Sequence, residues 1–159
     1  MEKDTAVRDT LHSLIGVFQK VAIECIAATF GKNGRADTPW ETVERLAPGR
    51  SNILTLGLAN EHYQCMLFVC VNDDDVADFL GTETDDEFLA DAFGEMGNVY
   101  CGMLMGEKSI TERFGVMKQS IPTYAKRNCF FPRAWGIQGT IDFDQSSVEI
   151  GYAARKNMF

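Results

Sequence analysis

The longest helical pattern in the chain is DDEFLADAFGEMGNVYCGMLMG, residues 85–106. Asp85 and Asp86 open this pattern, because acidic side chains interact favourably with the positive end of a helix dipole, and Gly106 closes it. On a helical wheel of about 100° per residue, its apolar side chains fill an arc of about 160°. One broad face can therefore pack against other elements, and the remaining face stays polar.

Apolar segments on either side of this helix in the sequence predict strands. Residues 51–58 and 63–71 predict a hairpin joined by the turn at 59–62. Residues 134–143 and 147–153 predict two strands late in the chain, because they are rich in residues that favour extended backbone. The second strand of the first hairpin is almost continuously apolar, as expected of a strand in the middle of a sheet.

The remaining patterns complete the fold prediction. Thr5–Phe30 has helical periodicity, and Gly31 is the expected helix end. Residues 32–50 are expected to form a connection with one short element near 40–46. Residues 76–81 are expected to form a short helix. The order of these elements predicts an α+β fold, with an antiparallel β-sheet packed against long helices. At 159 residues the chain is expected to form a single domain, 1–159.

Composition restricts the classes of partner. A net charge of −8 and a pI near 4.7 argue against nucleic acid and against an anionic membrane surface, since both require a basic face. The apolar run Cys65–Val71 is too short to span a bilayer. The N-terminus, Met1-Glu2-Lys3-Asp4, is acidic where a signal peptide is basic, so the expectation is a cytoplasmic protein.

The cysteines and acidic clusters are expected to be structural. The cysteine number is odd and no C-x-x-C pair occurs, which predicts buried reduced thiols rather than disulfides or a zinc site. Cys65 and Cys70 are five positions apart in a predicted strand and should face opposite sides of the sheet. Asp73, Asp74 and Asp75 are interpreted as the acidic start of a helix rather than as metal ligands.

A polar stripe on the helix at 85–106 carries the candidate chemistry. Asp91, Glu95 and Asn98 fall within about 60° of one another on the wheel, bordered by Gly94 and Gly102. A merely solvated face is the ordinary interpretation of such a stripe. However, each glycine destabilises a helix by about 0.5–1 kcal/mol relative to alanine, so glycines here favour the close approach of a backbone or a partner surface.

These residues resemble a known motif. The segment DAFGEMGNVYCG, residues 91–102, resembles the active-site helix of the CheC, CheX and FliY chemotaxis phosphatases. Their motif is Ser or Asp, three residues, Glu, two residues and Asn, followed some two dozen residues later by Pro, for which Pro122 is the candidate. Glu95–Asn98 is the only E-x-x-N in the chain, and the first helix carries Glu24-Cys-Ile-Ala27 instead. A chain with one such site is most similar to the stand-alone CheX branch of this family.

The resemblance implies an enzyme that hydrolyses the phospho-aspartate of a CheY-type receiver domain and so terminates a signal. Asn98 would position the hydrolytic water and Glu95 would engage the receiver's lysine, with Asp91, Gly94 and Gly102 at the partner surface. This chain would bind no cofactor or metal of its own, because Mg²⁺ belongs to the receiver, and it would form a homodimer.

Two alternatives remain open from the residues. The chain could be a non-catalytic receiver-binding adaptor or dimerisation module with the same fold. It could also be an unrelated α+β domain in which the motif is accidental, an alternative that a large apolar pocket away from the helix would favour.

Overall fold

A computed structural model describes residues 5–82 and 84–158. The predicted domain 1–159 thus includes residues 1–4, 83 and 159, which lie outside the described residues. The helices are α1 (Thr5–Ser13), α2 (Ile15–Phe30), α3 (Val76–Leu80), α4 (Asp86–Met105) and α5 (Lys108–Phe114). The strands are β1 (Glu41–Val43), β2 (Asn52–Ala59), β3 (Tyr63–Val71), β4 (Lys118–Gln119), β5 (Thr123–Lys126), β6 (Gly136–Asp142) and β7 (Ser147–Lys156).

The strands form one seven-stranded antiparallel sheet in the order β1-β6-β7-β3-β2-β4, and β5 also pairs with β2. The predicted hairpin β2–β3 is present with nearly the predicted bounds, and the two predicted late strands, β6 and β7, pair with each other. β3 and β7 lie in the middle of the sheet, where almost continuous apolar sequence is expected. The predicted α+β class with an antiparallel sheet is therefore confirmed.

The sheet buries both of its faces, but unequally. The helices cover one face, on which Leu54, Leu67 and Tyr152 join the main core. A smaller cluster on the other face contains Phe68 and is covered by the segments that carry Leu46 and Phe131. Cys65 belongs to the main core and Cys70 to the smaller cluster, so the prediction that they face opposite sides is confirmed.

The N-terminal helix differs from its prediction. Thr5–Phe30 is two helices rather than one, because α1 and α2 are bent by 52° at Leu14. The Ser13 hydroxyl donates a hydrogen bond to the Thr10 carbonyl at 2.7 Å, a local contact that competes with the helical hydrogen bonds and bends helices. Among the described helices, no single one is long and apolar enough to cross a membrane, and the pair α1–α2 passes that test only when its bent halves are counted together.

α4 is the long helix that the sequence predicted. Its N-cap is Asp85, whose carboxylate accepts a hydrogen bond from the Phe88 amide at 2.8 Å. Its apolar face packs on α2, where the buried Tyr100 hydroxyl donates to the Phe18 carbonyl at 3.0 Å. Phe88 departs from the predicted apolar arc and is 54% exposed. It lies at the border of that arc, one turn before Asp91, and faces outward.

The aspartates at 73–75 stand at a helix start but are not used as caps. They form a short 3-10 turn before α3, and no side-chain cap hydrogen bond is made at either helix start. Asp73 instead pairs with Lys126 at 3.3 Å, and Asp75 pairs with Arg50 at 3.6 Å. The cluster therefore joins the α3 region to the edge of the sheet through ion pairs.

Candidate functional site

The polar stripe of α4 forms one wall of an open groove. Asp91 and Glu95 are exposed and Asn98 is half-buried, so the structure places all three predicted side chains together on one accessible face. The opposite wall comes from the segment that joins β4 to β5. The groove encloses about 440 Å³ and is lined by Leu54, Ala90, Asp91, Gly94, Glu95, Asn98, Ile121, Pro122 and Tyr124.

Gly94 explains how the two walls meet. A Cβ built on Gly94 would lie 3.5 Å from the Cβ of Pro122, so the glycine lets the second wall pack closely against the helix. Gly94 is buried by this contact. The predicted close approach at Gly94 is thus made by Pro122 of the same chain. Pro122 is the candidate proline of the motif, and this contact places it at the site.

The other helical glycines have different surroundings. A Cβ on the buried Gly97 would lie 2.7 Å from Cδ1 of Leu56, so this glycine allows α4 to lie close to β2. Gly102, by contrast, is exposed, and a Cβ there would meet nothing within 4 Å. No contact within the described chain therefore accounts for the glycine at 102, and its predicted role at a partner surface stays a prediction.

Asn98 is held by a residue that the sequence motif does not contain. The side-chain amide of Gln119, on β4, donates a hydrogen bond from Nε2 to Oδ1 of Asn98 at 2.8 Å. Gln119 is itself exposed and lies opposite Leu58 in the register of β4 with β2. The carbonyl end of Asn98 therefore faces the sheet edge, and its N–H₂ group is left for other partners.

The groove carries uncompensated negative charge. Within residues 5–82 and 84–158, neither Asp91 nor Glu95 forms an ion pair or a side-chain hydrogen bond. Lys126, the basic side chain near the groove's end, is instead engaged by Asp73 at 3.3 Å and Asp86 at 3.4 Å. The hydrogen bond to Asp73 raises the pKa of Lys126, which stays charged and locally neutralised.

Tyr124 is fixed by a buried polar residue. Asn52 is fully buried, donates to the Val71 carbonyl at 3.1 Å and to Asp73 at 2.8 Å, and accepts from the Tyr124 hydroxyl at 2.6 Å. Burial raises the pKa of Tyr124, so its hydroxyl remains a donor at neutral pH. This network makes the Tyr124 wall of the groove rigid.

The groove offers carboxylates and an amide. Its lining contains no cysteine, serine or histidine that could serve as a nucleophile or general base. In the part of the chain that the structure describes, no group of three or more metal-ligating side chains is found. Such a surface suits recognition of a cationic group and hydrogen bonding to an anion or a water molecule that a partner presents.

Comparison with known proteins adds evidence on the fold. Scans of the sequence against protein-family models and against curated proteins found no match. Solved structures, however, match over most of the chain. The chemotaxis protein CheX from Vibrio vulnificus has a TM-score of 0.72 at 9% identity, covering 90% of this chain and 99% of that one.

Two further structures extend this match. A CheC-like superfamily protein from Shewanella sp. PV-4 has a TM-score of 0.70 at 11% identity, covering 89% of this chain and 97% of that chain. CheX in a complex with CheY, BeF₃ and Mg²⁺ from Borrelia burgdorferi has a TM-score of 0.60 at 14% identity, covering 87% of this chain and 95% of that one.

The antiparallel sheet and its long site helix form an α+β domain with the same fold as these solved structures. More narrowly, its fold is that of the CheC/CheX/FliY group. The shared fold argues against a structurally unrelated α+β domain. The homodimer and the receiver-bound Mg²⁺ that the resemblance implies stay predictions.

Sequence reasoning missed Gln119 and two residues of the second wall, Ile121 and Tyr124. Gln119, Ile121 and Tyr124 lie 21 or more positions after Asn98, in a segment with weak periodicity. Ile121 is 85% exposed although it is large and apolar, and in the sequence alone nothing distinguishes it from a buried strand residue. Pro122 was the only signal that this segment belongs to the site.

Proposed function

We propose that this protein binds the phosphorylated receiver domain of a CheY-type response regulator and accelerates hydrolysis of its phospho-aspartate. The observation that carries the proposal is the groove itself, where Glu95 and Asn98 of one helix face solvent together beside an apolar wall. A CheX–CheY complex among the structures with the same fold supports a receiver as the partner.

Asn98 would act on the attacking water. A side-chain amide has a carbonyl with two acceptor positions and an N–H₂ group with two donor positions. It can therefore accept a hydrogen bond from a water molecule and donate one to a phosphoryl oxygen, which fixes the water in line with the bond to be broken. Phosphoryl transfer depends mostly on such positioning and on charge stabilisation, so a single oriented amide can contribute a large factor.

The reaction needs no covalent intermediate on this chain. The water oxygen forms a bond to phosphorus, and the bond from phosphorus to the receiver's aspartyl oxygen breaks with its electron pair. The products are the receiver's free carboxylate and inorganic phosphate, which carries the oxygen and both protons of the water molecule. Charge on the phosphoryl oxygens would be stabilised by the Mg²⁺ that the receiver is expected to hold.

Glu95 would hold the partner in place. It lies one helical turn before Asn98, is exposed, and has no partner among the described residues, so its charge is available to a lysine of the receiver. An ion pair that becomes enclosed at an interface is charge-assisted and short. Asp91, a turn earlier, adds negative charge to the same surface, and the exposed Ile121 offers an apolar contact opposite.

The test is the decay of a phosphorylated CheY-type receiver, loaded by a small phosphodonor in Mg²⁺, with wild-type protein and with Asn98→Ala. We expect wild type to accelerate decay and Asn98→Ala to lose about 100-fold of that acceleration, as when one oriented hydrogen-bonding group is removed from an active site. Binding of the variant to a BeF₃-activated receiver should stay within about fivefold of wild type.

Asn33→Ala is the matched control, because Asn33 is an exposed asparagine outside the groove. Its activity should equal that of wild type. Retention of most activity by Asn98→Ala would refute the water-positioning role. Binding of the activated receiver without any acceleration by wild type would identify the adaptor alternative instead.

A further inference from the structure

Among the described residues, Gln119 alone makes a side-chain hydrogen bond to Asn98. Its Nε2 lies 2.8 Å from Oδ1 of Asn98, a distance typical of a well-formed N–H···O hydrogen bond. The backbone of Gln119 is fixed by pairing of β4 with β2, where it lies opposite Leu58. The donor therefore comes from a sheet edge whose backbone is held by strand pairing.

With Gln119 as the donor, this contact favours one orientation of the Asn98 amide. In a helix, χ1 has two common rotamers, and a terminal amide can point either end outward, which gives about four orientations. Donation from Gln119 favours the one in which the carbonyl faces β4 and the N–H₂ group is turned away from it. The carbonyl keeps a second acceptor position for a water molecule.

The same hydrogen bond also makes the Asn98 N–H groups stronger donors. A hydrogen bond accepted at an amide oxygen polarises the amide and strengthens its N–H donors, by about 10–30% per bond in a chain of hydrogen bonds. The Asn98 N–H groups would thus become better donors to a phosphoryl oxygen. Orientation and polarisation both favour the transition state rather than binding of the partner.

We propose that Gln119 is a positioning residue that presets the Asn98 amide for catalysis. This inference rests on the phosphatase function proposed above and assigns a role to a residue outside the E-x-x-N motif. Gln119 lies outside the groove lining and would act through Asn98. Its removal should therefore lower kcat and leave the affinity for the receiver unchanged.

The first test is Gln119→Ala, measured at saturating phospho-receiver. We expect kcat to fall about fourfold, because about four orientations of the amide then compete. The Kd for a BeF₃-activated receiver should stay within twofold. Lys118→Ala is the matched control, since Lys118 is the exposed neighbour on β4 that faces the other side, and it should change neither value.

Gln119→Glu tests the direction of the hydrogen bond. A carboxylate only accepts, so it would attract the Asn98 N–H₂ group and turn the carbonyl toward the groove. We expect a kcat at least tenfold below that of Gln119→Ala. Side-chain amide signals of Asn98 in ¹H–¹⁵N spectra should shift in both variants and stay unchanged in Lys118→Ala.

Three results would overturn the inference. An unchanged kcat in Gln119→Ala would show that Asn98 needs no support, and a parallel loss of kcat and affinity would assign Gln119 to the docking surface. If the Asn98 signals stayed unchanged in Gln119→Ala, the hydrogen bond between the two side chains would be absent in solution. A wild-type protein that gives no acceleration refutes the proposed function, and the Asn98 signals then still decide whether Gln119 orients the amide.

Discussion

Replacing Gly102 by alanine should stabilise the protein and weaken its binding to the receiver. Gly102 is exposed in the interior of α4, and an added Cβ would meet nothing within 4 Å. Alanine is favoured over glycine in a helix by about 0.5–1 kcal/mol, with no packing loss to offset this gain. The free energy of unfolding should rise by that amount.

The expected change in melting temperature follows from chain length. An unfolding entropy of about 2.1 cal/mol/K per residue gives about 0.33 kcal/mol/K for 159 residues. A gain of about 0.5–1 kcal/mol therefore raises Tm by about 1.5–3 °C. At a closely packed interface, the same methyl group would destabilise the complex by about 1–3 kcal/mol, which corresponds to a roughly 5- to 150-fold higher Kd.

The assay combines thermal unfolding with titration of a BeF₃-activated CheY-type receiver. Gly16→Ala is the matched control, because Gly16 is an exposed glycine on α2 whose added Cβ also meets nothing within 4 Å. It should leave the Kd unchanged. A lower Tm for Gly102→Ala would refute the packing argument, and a raised Tm with unchanged Kd would refute the placement of Gly102 at the partner surface.

Three other perturbations have definite expected outcomes. Glu95→Gln should raise the Kd for the activated receiver about tenfold and Glu95→Lys by more, in titrations at constant salt; equal affinities for both variants and wild type would exclude an ion pair there. The Ser146 hydroxyl and the Lys32 ammonium hold the pKa of Asp78 in the folded protein below its ordinary value of 3.8. The ionised Asp78 therefore stabilises the fold above pH 3.8, and this stabilisation is lost as the pH falls through the lower pKa of the folded state. Urea unfolding below about pH 4 should therefore show a steeper acid loss in wild type than in Asp78→Asn, and parallel curves would contradict this. Among the cysteines, Cys129 is the one that is not fully buried, and it should react first with a thiol reagent at pH 7.5, while the other four react only on unfolding. Equal reaction of all five thiols in the folded protein would contradict the burial that raises the pKa of Cys25 to about 11.

The parts of the fold that could be predicted are those with strong local periodicity. α4 has a capping aspartate, a closing glycine and a wide apolar arc, and the hairpin β2–β3 has two apolar runs around a short turn. Each of these signals lies within about 20 residues of sequence. The bend at Leu14 was missed because both halves of the N-terminal pattern keep the same apolar stripe, and only the Ser13 contact interrupts it.

β1 lies within the short element predicted near 40–46, although its type was not predicted. β4 and β5 could not be predicted, because their pairing partners define them and their two and four residues are too few for a periodic pattern. The same limit applies to the site. The polar stripe on α4 could be predicted from the helical wheel. The contact of Gln119 with Asn98 could not, because it depends on the register of β4 with β2.

The groove exists because the edge of the sheet is interrupted. β2 pairs with β4 at Leu58 and Ala59 and with β5 from Asn52 to Thr55, so the chain leaves the sheet between these two pairings. At Gly57 the backbone and hydroxyl of Ser120 complete the hydrogen bonds, at 2.9 and 2.8 Å. The pairing of this segment with β2 thus ends at Ser120, just before the chain leaves the sheet.

That interruption places the second wall on the helix. Pro122 has no N–H to donate to a strand ladder, so it favours an excursion from the edge, and it lies 3.5 Å from the position of a Cβ on Gly94. Gln119 stands just before the excursion and reaches Asn98, and Tyr124 stands just after it. A helix with the same Glu and Asn spacing but a continuous edge strand beside it would lack both the wall and the oriented amide. The chemistry of the site therefore depends on the pairing of β4 and β5 as much as on the motif of α4.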